Sequence, residues 1–342
     1  MTLQKLQKGD KVAVLSPSFA APGMFPPVFG LGLERLRTIF ELEPVEYPST
    51  RKLGASVHER ADGLVKAFTD PDIRAVIASI GGDDQVTYIK NLSPEPFKQN
   101  PKPFFGFSDN SHFCNFLFLH GIPSYYGGSI MTQYAMQGAM DDYSIQYLKH
   151  ALFNEGELEL TASDMYNDQG YDWSDSSLLH VKKKYWNNKG FVWDGKNSAE
   201  GILWGGCLES IYEMLRHNTP LPSHKQFENI ILMLETSEEI PTANYVFRVV
   251  RALGERGVLE RVNGVLVGRA KAWEFDKRLT LEQKEDYKKK QKDTIITTIR
   301  KYNIEIPIIL HMDFGHTDPQ IPMPYGNNVR IDMTHKKIFA HF

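Results

Sequence analysis

Short apolar runs alternate with segments of helical periodicity over residues 1–155. Runs typical of buried strands lie at 11–16, 73–80, 103–107 and 122–126. Between them, apolar residues spaced three to four apart predict helices at 30–40, 55–69, 84–92 and 110–120. Strands that alternate with helices predict an α/β domain with a parallel, doubly wound sheet. In such a sheet, a ligand binds beyond the carboxyl ends of the strands.

The remainder of the chain has a different pattern. Residues 156–198 are polar and rich in Trp, Tyr, Asn, Asp and Lys, which predicts a linker and an exposed aromatic-rich loop. From residue 199 onward, core-like runs return at 201–204, 230–234, 262–267, 307–310, 328–333 and 337–340. Helical patterns at 208–216, 242–255 and 281–302 interrupt them. We therefore expect a second α/β domain over 199–342, with a mixed or barrel-like sheet.

Composition narrows the class of protein. Hydrophobic residues make up 42% of the chain and charged residues 24%, and the formal net charge is −3. This balance is typical of a globular protein and gives no indication of a nucleic-acid or membrane partner. No apolar stretch approaches the roughly 20 residues needed to span a bilayer. The absence of a signal-like N-terminal pattern and the two cysteines indicate a cytoplasmic location.

The turn at residues 104–110 (FFGFSDN) is the sharpest chemical feature. An apolar strand ends on Gly-x-Ser and a helical stretch follows. This arrangement would lift the hydroxyl of Ser108 out of the sheet and aim a helix N-terminus at its target. Ser108 is therefore a candidate nucleophile. Helix capping by Ser108 or Asp109 is the alternative, because Asn110 replaces the last Gly of the complete G-x-S-x-G motif.

A serine nucleophile needs a base, and the base needs an orienting group. His316 lies in a Gly- and Pro-rich loop after a predicted strand, where catalytic groups are often placed. Glu235 ends the apolar run at 230–234, so its carboxylate should be partly desolvated and should gain from a histidine partner. The sequence also allows a surface histidine and a solvated glutamate.

Two glycines directly follow the buried run at 73–80. Gly81 and Gly82 would let a substrate approach the backbone closely. The N–H of Gly82, with that of Asp109, could bind the oxyanion formed during acyl transfer. A tight turn without a ligand is the alternative.

A metal centre is a weaker alternative. His311, Asp313 and His316 offer imidazole and carboxylate ligands within a few residues. The alternation of a strand would place His311 and Asp313 on one face, while His316 lies beyond it in the loop. We therefore expect no metal and no other cofactor.

Several sequence blocks, in order, resemble those of peptidase family S66, the LD-carboxypeptidases and MccF-like serine carboxypeptidases. They are GDKVAVLSPS, ASIGGDD, KPFFGFSDNS, YYGGSIM, GILWGGCLESI, ILMLETSEE, GVLERVNGVLVGR and IPIILHMDFGHTDPQIPMPYGNNVRID. The resemblance covers nearly the whole chain. It implies a catalytic triad in the order Ser108, Glu235, His316. It also implies a flavodoxin- or Rossmann-like N-terminal domain, a smaller barrel-like C-terminal domain, an active site between them, and a homodimer.

The aromatic segment 185–193 (YWNNKGFVW) resembles the MccF branch of the family. In that branch, aromatic residues of a comparable loop stack on the nucleobase of a peptidyl-nucleotide. The resemblance thus implies a peptidyl-adenylate or small-peptide substrate, bound by Trp186, Trp193 and Gly81. Alternatively, the two tryptophans only pin the loop to the body of the protein or to a dimer mate. A muropeptide LD-carboxypeptidase and a non-catalytic nucleotide- or peptide-binding module stay open as alternative functions.

Overall fold

The computed structural model describes residues 3–342. The first half of the chain contains β1 (Lys11–Leu15), α1 (Ala21–Met24), α2 (Pro26–Ile39), β2 (Glu43–Glu46), α3 (Val57–Thr69), β3 (Ile73–Ala78), α4 (Glu95–Gln99), β4 (Phe104–Gly106), α5 (Ser111–Leu119), β5 (Ser124–Tyr126) and α6 (Asp142–Phe153). Two 3₁₀ turns, Gln85–Thr87 and Ile89–Asn91, take the place of the helix expected at 84–92.

The second half begins with short strands and continues with longer elements. They are β6 (Glu157–Glu159), β7 (Met165–Tyr166), β8 (Trp186–Asn187), β9 (Val192–Asp194), β10 (Ala199–Cys207), α7 (Leu208–Arg216), α8 (His224–Phe227), β11 (Ile230–Glu235), α9 (Ala243–Glu255), β12 (Gly264–Gly268), α10 (Leu281–Ile299), β13 (Ile308–Met312), β14 (Met323–Tyr325), β15 (Asn328–Asp332) and β16 (Lys337–His341). None of the helices described is long and apolar enough to cross a membrane.

Six strands form the first sheet, in the order β14-β5-β4-β3-β1-β2. The five strands from the first half are parallel, as the alternating pattern predicts. β14, from near the end of the chain, adds an antiparallel edge beside β5. The sequence did not reveal this crossing, because β14 is a three-residue segment that contains a proline.

Eight strands form the second sheet, in the order β6-β16-β15-β10-β11-β12-β13-β9. Its centre, β10 to β13, is parallel, and the outer strands are antiparallel. Every residue of β11 and β12 is buried, which explains why both read as continuous apolar runs. The α/β prediction, with a parallel first sheet and a mixed second one, is confirmed.

The two sheets pack through one continuous core. Trp204 of β10 is buried and donates from its indole N–H to Asn115 Oδ1 on α5, at 3.0 Å. Four segments that carry predicted chemistry follow the carboxyl ends of β3, β4, β11 and β13. These strand ends bring residues from both sheets to one cleft, as expected for ligand sites in parallel sheets.

Candidate active site

Ser108 occupies a strained turn directly after β4. Its φ is +62°, a region that residues other than glycine rarely adopt. Such a conformation costs on the order of 1–3 kcal/mol and tends to persist where function requires it. Gly81 faces the turn closely, because a Cβ at this position would lie 2.9 Å from Ser108 Cβ and 3.1 Å from its Oγ. The glycine therefore lets the loop after β3 approach the hydroxyl.

Asp109 connects the loop after β3 to the turn after β4 by hydrogen bonds. Its buried carboxylate accepts from the backbone N–H groups of Asp84, at 3.2 Å, and Gln85, at 3.0 Å. Burial raises the pKa of Asp109 to about 6. The Asp109 side chain thus makes buried hydrogen bonds within the protein. Its backbone nitrogen lies beside Gly81, 3.3 Å from where a Cβ on that glycine would be. Gly82 has φ +146° and packs against Ser18.

Glu235 and His316 are in direct contact. His316 Nδ1 lies 2.7 Å from Glu235 Oε2, although the two residues are 81 positions apart in the chain. Glu235 is 1% exposed at the end of β11, and the loop after β13 presents the histidine to it. Gly315 makes this approach possible, since a Cβ there would lie 2.5 Å from Glu235 Oε2.

Tyr126 connects Glu235 to the serine turn. Its hydroxyl donates to Glu235 Oε1 at 2.5 Å and accepts from the backbone N–H of Ser108 at 3.1 Å. The tyrosine is fully buried, and burial, together with the negative charge of Glu235, raises its pKa well above the ordinary value. Tyr126 therefore remains a neutral donor. A hydrogen-bonded chain runs from the backbone of Ser108 through Tyr126 and Glu235 to His316.

A second carboxylate occupies the other nitrogen of the histidine. Glu238 Oε2 lies 3.0 Å from His316 Nε2. Desolvation alone would lower the pKa of His316, but the carboxylates of Glu235 and Glu238 outweigh it and raise the pKa to about 10. The ring is therefore an imidazolium at neutral pH in this arrangement. The Nε2 that a serine base would use is engaged by Glu238.

Ser108 and His316 line one cavity of about 600 Å³ at the cleft between the sheets. Gly81, Gly82 and Glu238 also line it. Its aromatic walls are Phe19, Phe25, Phe107, Tyr171, Trp173 and Phe275. A cavity of this size and character suits a small organic ligand with both flat apolar and polar parts.

Family models match both halves of the chain. The LD-carboxypeptidase N-terminal domain matches residues 12–127, and the LD-carboxypeptidase C-terminal domain matches residues 200–331. The chain belongs to peptidase family S66. The resemblance found in the sequence is thus confirmed, and the chain is a serine peptidase by family.

Several relatives are similar to this chain over nearly its full length. The putative carboxypeptidase YocD of Bacillus subtilis is 25% identical over 337 residues, which are 97% of this chain and 96% of YocD. An MccF-like protein from Streptococcus pneumoniae, solved in complex with AMP, is 26% identical with a TM-score of 0.82, covering 97% of this chain and 98% of that one. The microcin C7 self immunity protein MccF, in complex with aspartyl sulfamoyl adenosine, has the same fold at 21% identity, with a TM-score of 0.86 and coverage of 100% and 98%.

The two tryptophans predicted to bind substrate do not line the cavity of this S66 peptidase. The ring of Trp186 has Lys284 Nζ 4.9 Å from its centroid and packs beside Tyr166. Trp193 lies in β9 at a sheet edge, with Lys336 Nζ 5.3 Å from its ring. This arrangement gives no support to their binding role, which stays a prediction.

The residues of the alternative metal site are held apart by other partners. Asp313 is buried and pairs with Arg269 at 2.7 Å, and it also accepts from Ser163. His316 contacts Glu235 and Glu238 instead. Within residues 3–342, no group of three or more His, Cys, Asp and Glu side chains is placed to hold a metal ion.

Sequence reasoning missed four residues of the site. Tyr126 and Glu238 contact the predicted catalytic groups, and Tyr171 and Trp173 line the cavity. Glu238 had a usable signal, because it lies in the ETSEE segment directly after Glu235. The two aromatic residues carry no local signal that separates them from Trp186 and Trp193.

Proposed function

We propose that this S66 peptidase cleaves amide bonds of small peptide or peptidyl-nucleotide substrates through Ser108, His316 and Glu235. The observation that carries the proposal is the 2.7 Å contact between His316 Nδ1 and Glu235 Oε2, in a cavity that Ser108 also lines. A base oriented by a buried carboxylate, lining the same cavity as a strained serine, supports acyl transfer, which requires a nucleophile, a base and an orienting group.

The reaction follows from these positions. With Nε2 free and neutral, His316 takes the proton of the Ser108 hydroxyl while Oγ attacks the substrate carbonyl carbon. Glu235 stabilises the imidazolium that forms. The backbone N–H groups of Gly82 and Asp109 are the proposed donors to the oxyanion. His316 then gives its proton to the leaving amine nitrogen, and water, activated by the same ring, hydrolyses the acyl-enzyme.

The aromatic walls of the cavity support a nucleotide-bearing substrate. Trp173 packs edge-on against Phe25, with ring centroids 5.6 Å apart, and Tyr171 is next to it. A held aromatic ring of this kind can stack on a nucleobase, at roughly 1–3 kcal/mol per base. The AMP and aspartyl sulfamoyl adenosine complexes of the MccF-like structures agree with this substrate class.

A muropeptide substrate is the second candidate. The family models that match this chain are those of the LD-carboxypeptidases, and the same triad would cut the bond to a terminal D-Ala. The peptidyl-nucleotide and muropeptide substrates can be distinguished by the product that cleavage releases. One assay should follow sulfamoyl adenosine from aminoacyl sulfamoyl adenosines, and a parallel one D-Ala from a murein tetrapeptide.

Ser108→Ala tests the proposed function directly. We expect kcat to fall by about four orders of magnitude or more on whichever substrate is cleaved, with the fold intact. A fluorophosphonate should label Ser108 in the unmodified protein and not in the variant. Ser93→Ala, at an exposed serine outside the cavity, is the control and should retain activity. Absence of label at Ser108 would favour the non-catalytic binding module.

A further inference from the structure

Glu238 differs from Glu235 in how firmly it is held. The side chain of Glu235 is fully buried, whereas that of Glu238 is 52% exposed and faces the cavity. An ion pair with a half-exposed, flexible partner contributes little to stability and breaks readily. The contact between Glu238 and His316 can therefore open without disturbing the core.

This contact has to open before the proposed reaction can occur. Two carboxylates face the two ring nitrogens of His316, so both nitrogens donate and neither can accept a proton. Glu238 Oε2, at 3.0 Å from Nε2, also occupies the nitrogen that the proposed mechanism needs for the serine proton. The proposed reaction thus requires the Glu238 carboxylate to leave Nε2.

The cavity itself offers no free cation for this exchange among its described lining residues. Lys271 pairs with Glu274 at 2.7 Å, and Lys183 pairs with Asp318. When a substrate fills the cavity and displaces water from it, a cationic side chain of that substrate is the charged partner that can replace the imidazolium. Because Glu238 lies at the histidine, that group would sit on the residue whose carbonyl is attacked or on its immediate neighbour.

We propose that Glu238 is a specificity-determining residue that leaves His316 to bind the side-chain ammonium or guanidinium group of the substrate residue beside the scissile bond. The proposal rests on the proposed function and names its substrate class. A cationic substrate would both bind in the cavity and free Nε2. A substrate of the same shape with a neutral or acidic side chain would move Glu238 away from His316 without forming a new ion pair.

The test compares three conjugates that differ in one side chain: lysyl-, norleucyl- and glutamyl-sulfamoyl adenosine. Norleucine keeps the aliphatic chain of lysine and lacks the side-chain ammonium group, whereas the α-ammonium group is common to all three conjugates. We expect kcat/KM for the lysyl conjugate to exceed that for the norleucyl conjugate by about tenfold or more. Glu238→Gln should bring the ratio to within about twofold, since the amide neither attracts the ammonium nor holds an imidazolium. Glu238→Lys should shift the preference to the glutamyl conjugate.

Glu239→Gln is the matched control, because it removes the same charge one residue later and outside the cavity. It should keep the lysyl preference. An equal lysyl-to-norleucyl ratio in the unmodified protein and in Glu238→Gln would overturn the proposal, as would failure to cleave any conjugate while Ser108 is labelled. Absence of fluorophosphonate labelling at Ser108 would instead refute the proposed function on which this inference rests.

Discussion

Tyr126→Phe removes one hydroxyl from the centre of the site and leaves the ring in place. That hydroxyl is the donor to Glu235 Oε1 and the acceptor for the Ser108 N–H. Without this hydroxyl, the buried carboxylate of Glu235 keeps only its hydrogen bond to His316 within the described part of the chain. It can then rotate away from its present position. The backbone N–H of Ser108, the residue with positive φ, also loses its hydrogen-bond acceptor. The substitution therefore affects both the proposed nucleophile, Ser108, and the proposed base, His316, although it changes neither residue.

The magnitude follows from the two hydrogen bonds. A bond to a buried charged group contributes roughly 1.5–3 kcal/mol, and the orphaned N–H adds about 1 kcal/mol, so the free energy of unfolding should fall by about 2.5–4 kcal/mol. If the bond to the carboxylate also holds in the transition state, its loss lowers the rate by about 10- to 100-fold, at tenfold per 1.4 kcal/mol. KM should change little, because Tyr126 is not among the side chains that line the cavity.

The assay is the second-order rate of fluorophosphonate labelling at Ser108, which needs no knowledge of the natural substrate. Urea denaturation gives the unfolding free energy in parallel. Tyr134→Phe is the control, because Tyr134 is also fully buried and its hydroxyl has no hydrogen-bond partner in the described structure. That variant should label at the unmodified rate and be as stable or more stable. Labelling of folded Tyr126→Phe at the unmodified rate would refute the positioning role.

Two further predictions concern other contacts of the cleft. Gly315→Ala places a methyl group 2.5 Å from Glu235 Oε2 and should slow fluorophosphonate labelling of Ser108 by about tenfold or more. Gly121→Ala is the control for backbone strain, because Gly121 also has a positive φ but no described atom lies within 4 Å of its Cβ position. In that variant Ser108 should be labelled at the unmodified rate. Trp173→Ala should weaken AMP binding, measured by calorimetry, by about tenfold, as expected for a lost base stack, and Trp186→Ala should not. Weaker binding in Trp186→Ala alone would instead support the role first predicted from the sequence.

Much of the fold was predictable because its signals are local. The run at 230–234 is continuous and apolar, and the run at 73–80 is interrupted only by Arg74 and Ser79, as expected for parallel strands covered on both faces. The candidate nucleophile and the glycine pair each follow such a run directly. In contrast, the helix expected at 84–92 gives way to 3₁₀ turns. The carboxylate of Asp109, 25 positions later, accepts the N–H of Asp84 and binds the start of that segment to the serine turn. No local pattern contains that contact.

The aromatic side chains illustrate the same limit. Trp173 and Trp186 lie in one polar segment, and nothing in their neighbours separates them. Their positions depend on distant partners: Lys284 of α10 lies over Trp186, and Phe25 near α2 packs against Trp173. The pairing of Glu235 with His316 was a prediction from motif order, whereas the contact between Glu238 and His316 depends on a side-chain direction that the sequence does not specify.

The path of the chain after His316 bears on how the proposed base would be freed. The loop that carries His316 leaves the second sheet at β13 and enters the first sheet at β14, where Met323 pairs with Tyr126. Gln320 holds the middle of this crossing, since its amide accepts from Gly128 N–H and donates to the carbonyl of Gly315. His316 is thus anchored to both sheets at once, and a movement of one sheet against the other would break buried bonds on each side. The half-exposed Glu238 has no such anchoring, so in the proposed mechanism its rotation is the lower-cost step that would make Nε2 available to Ser108.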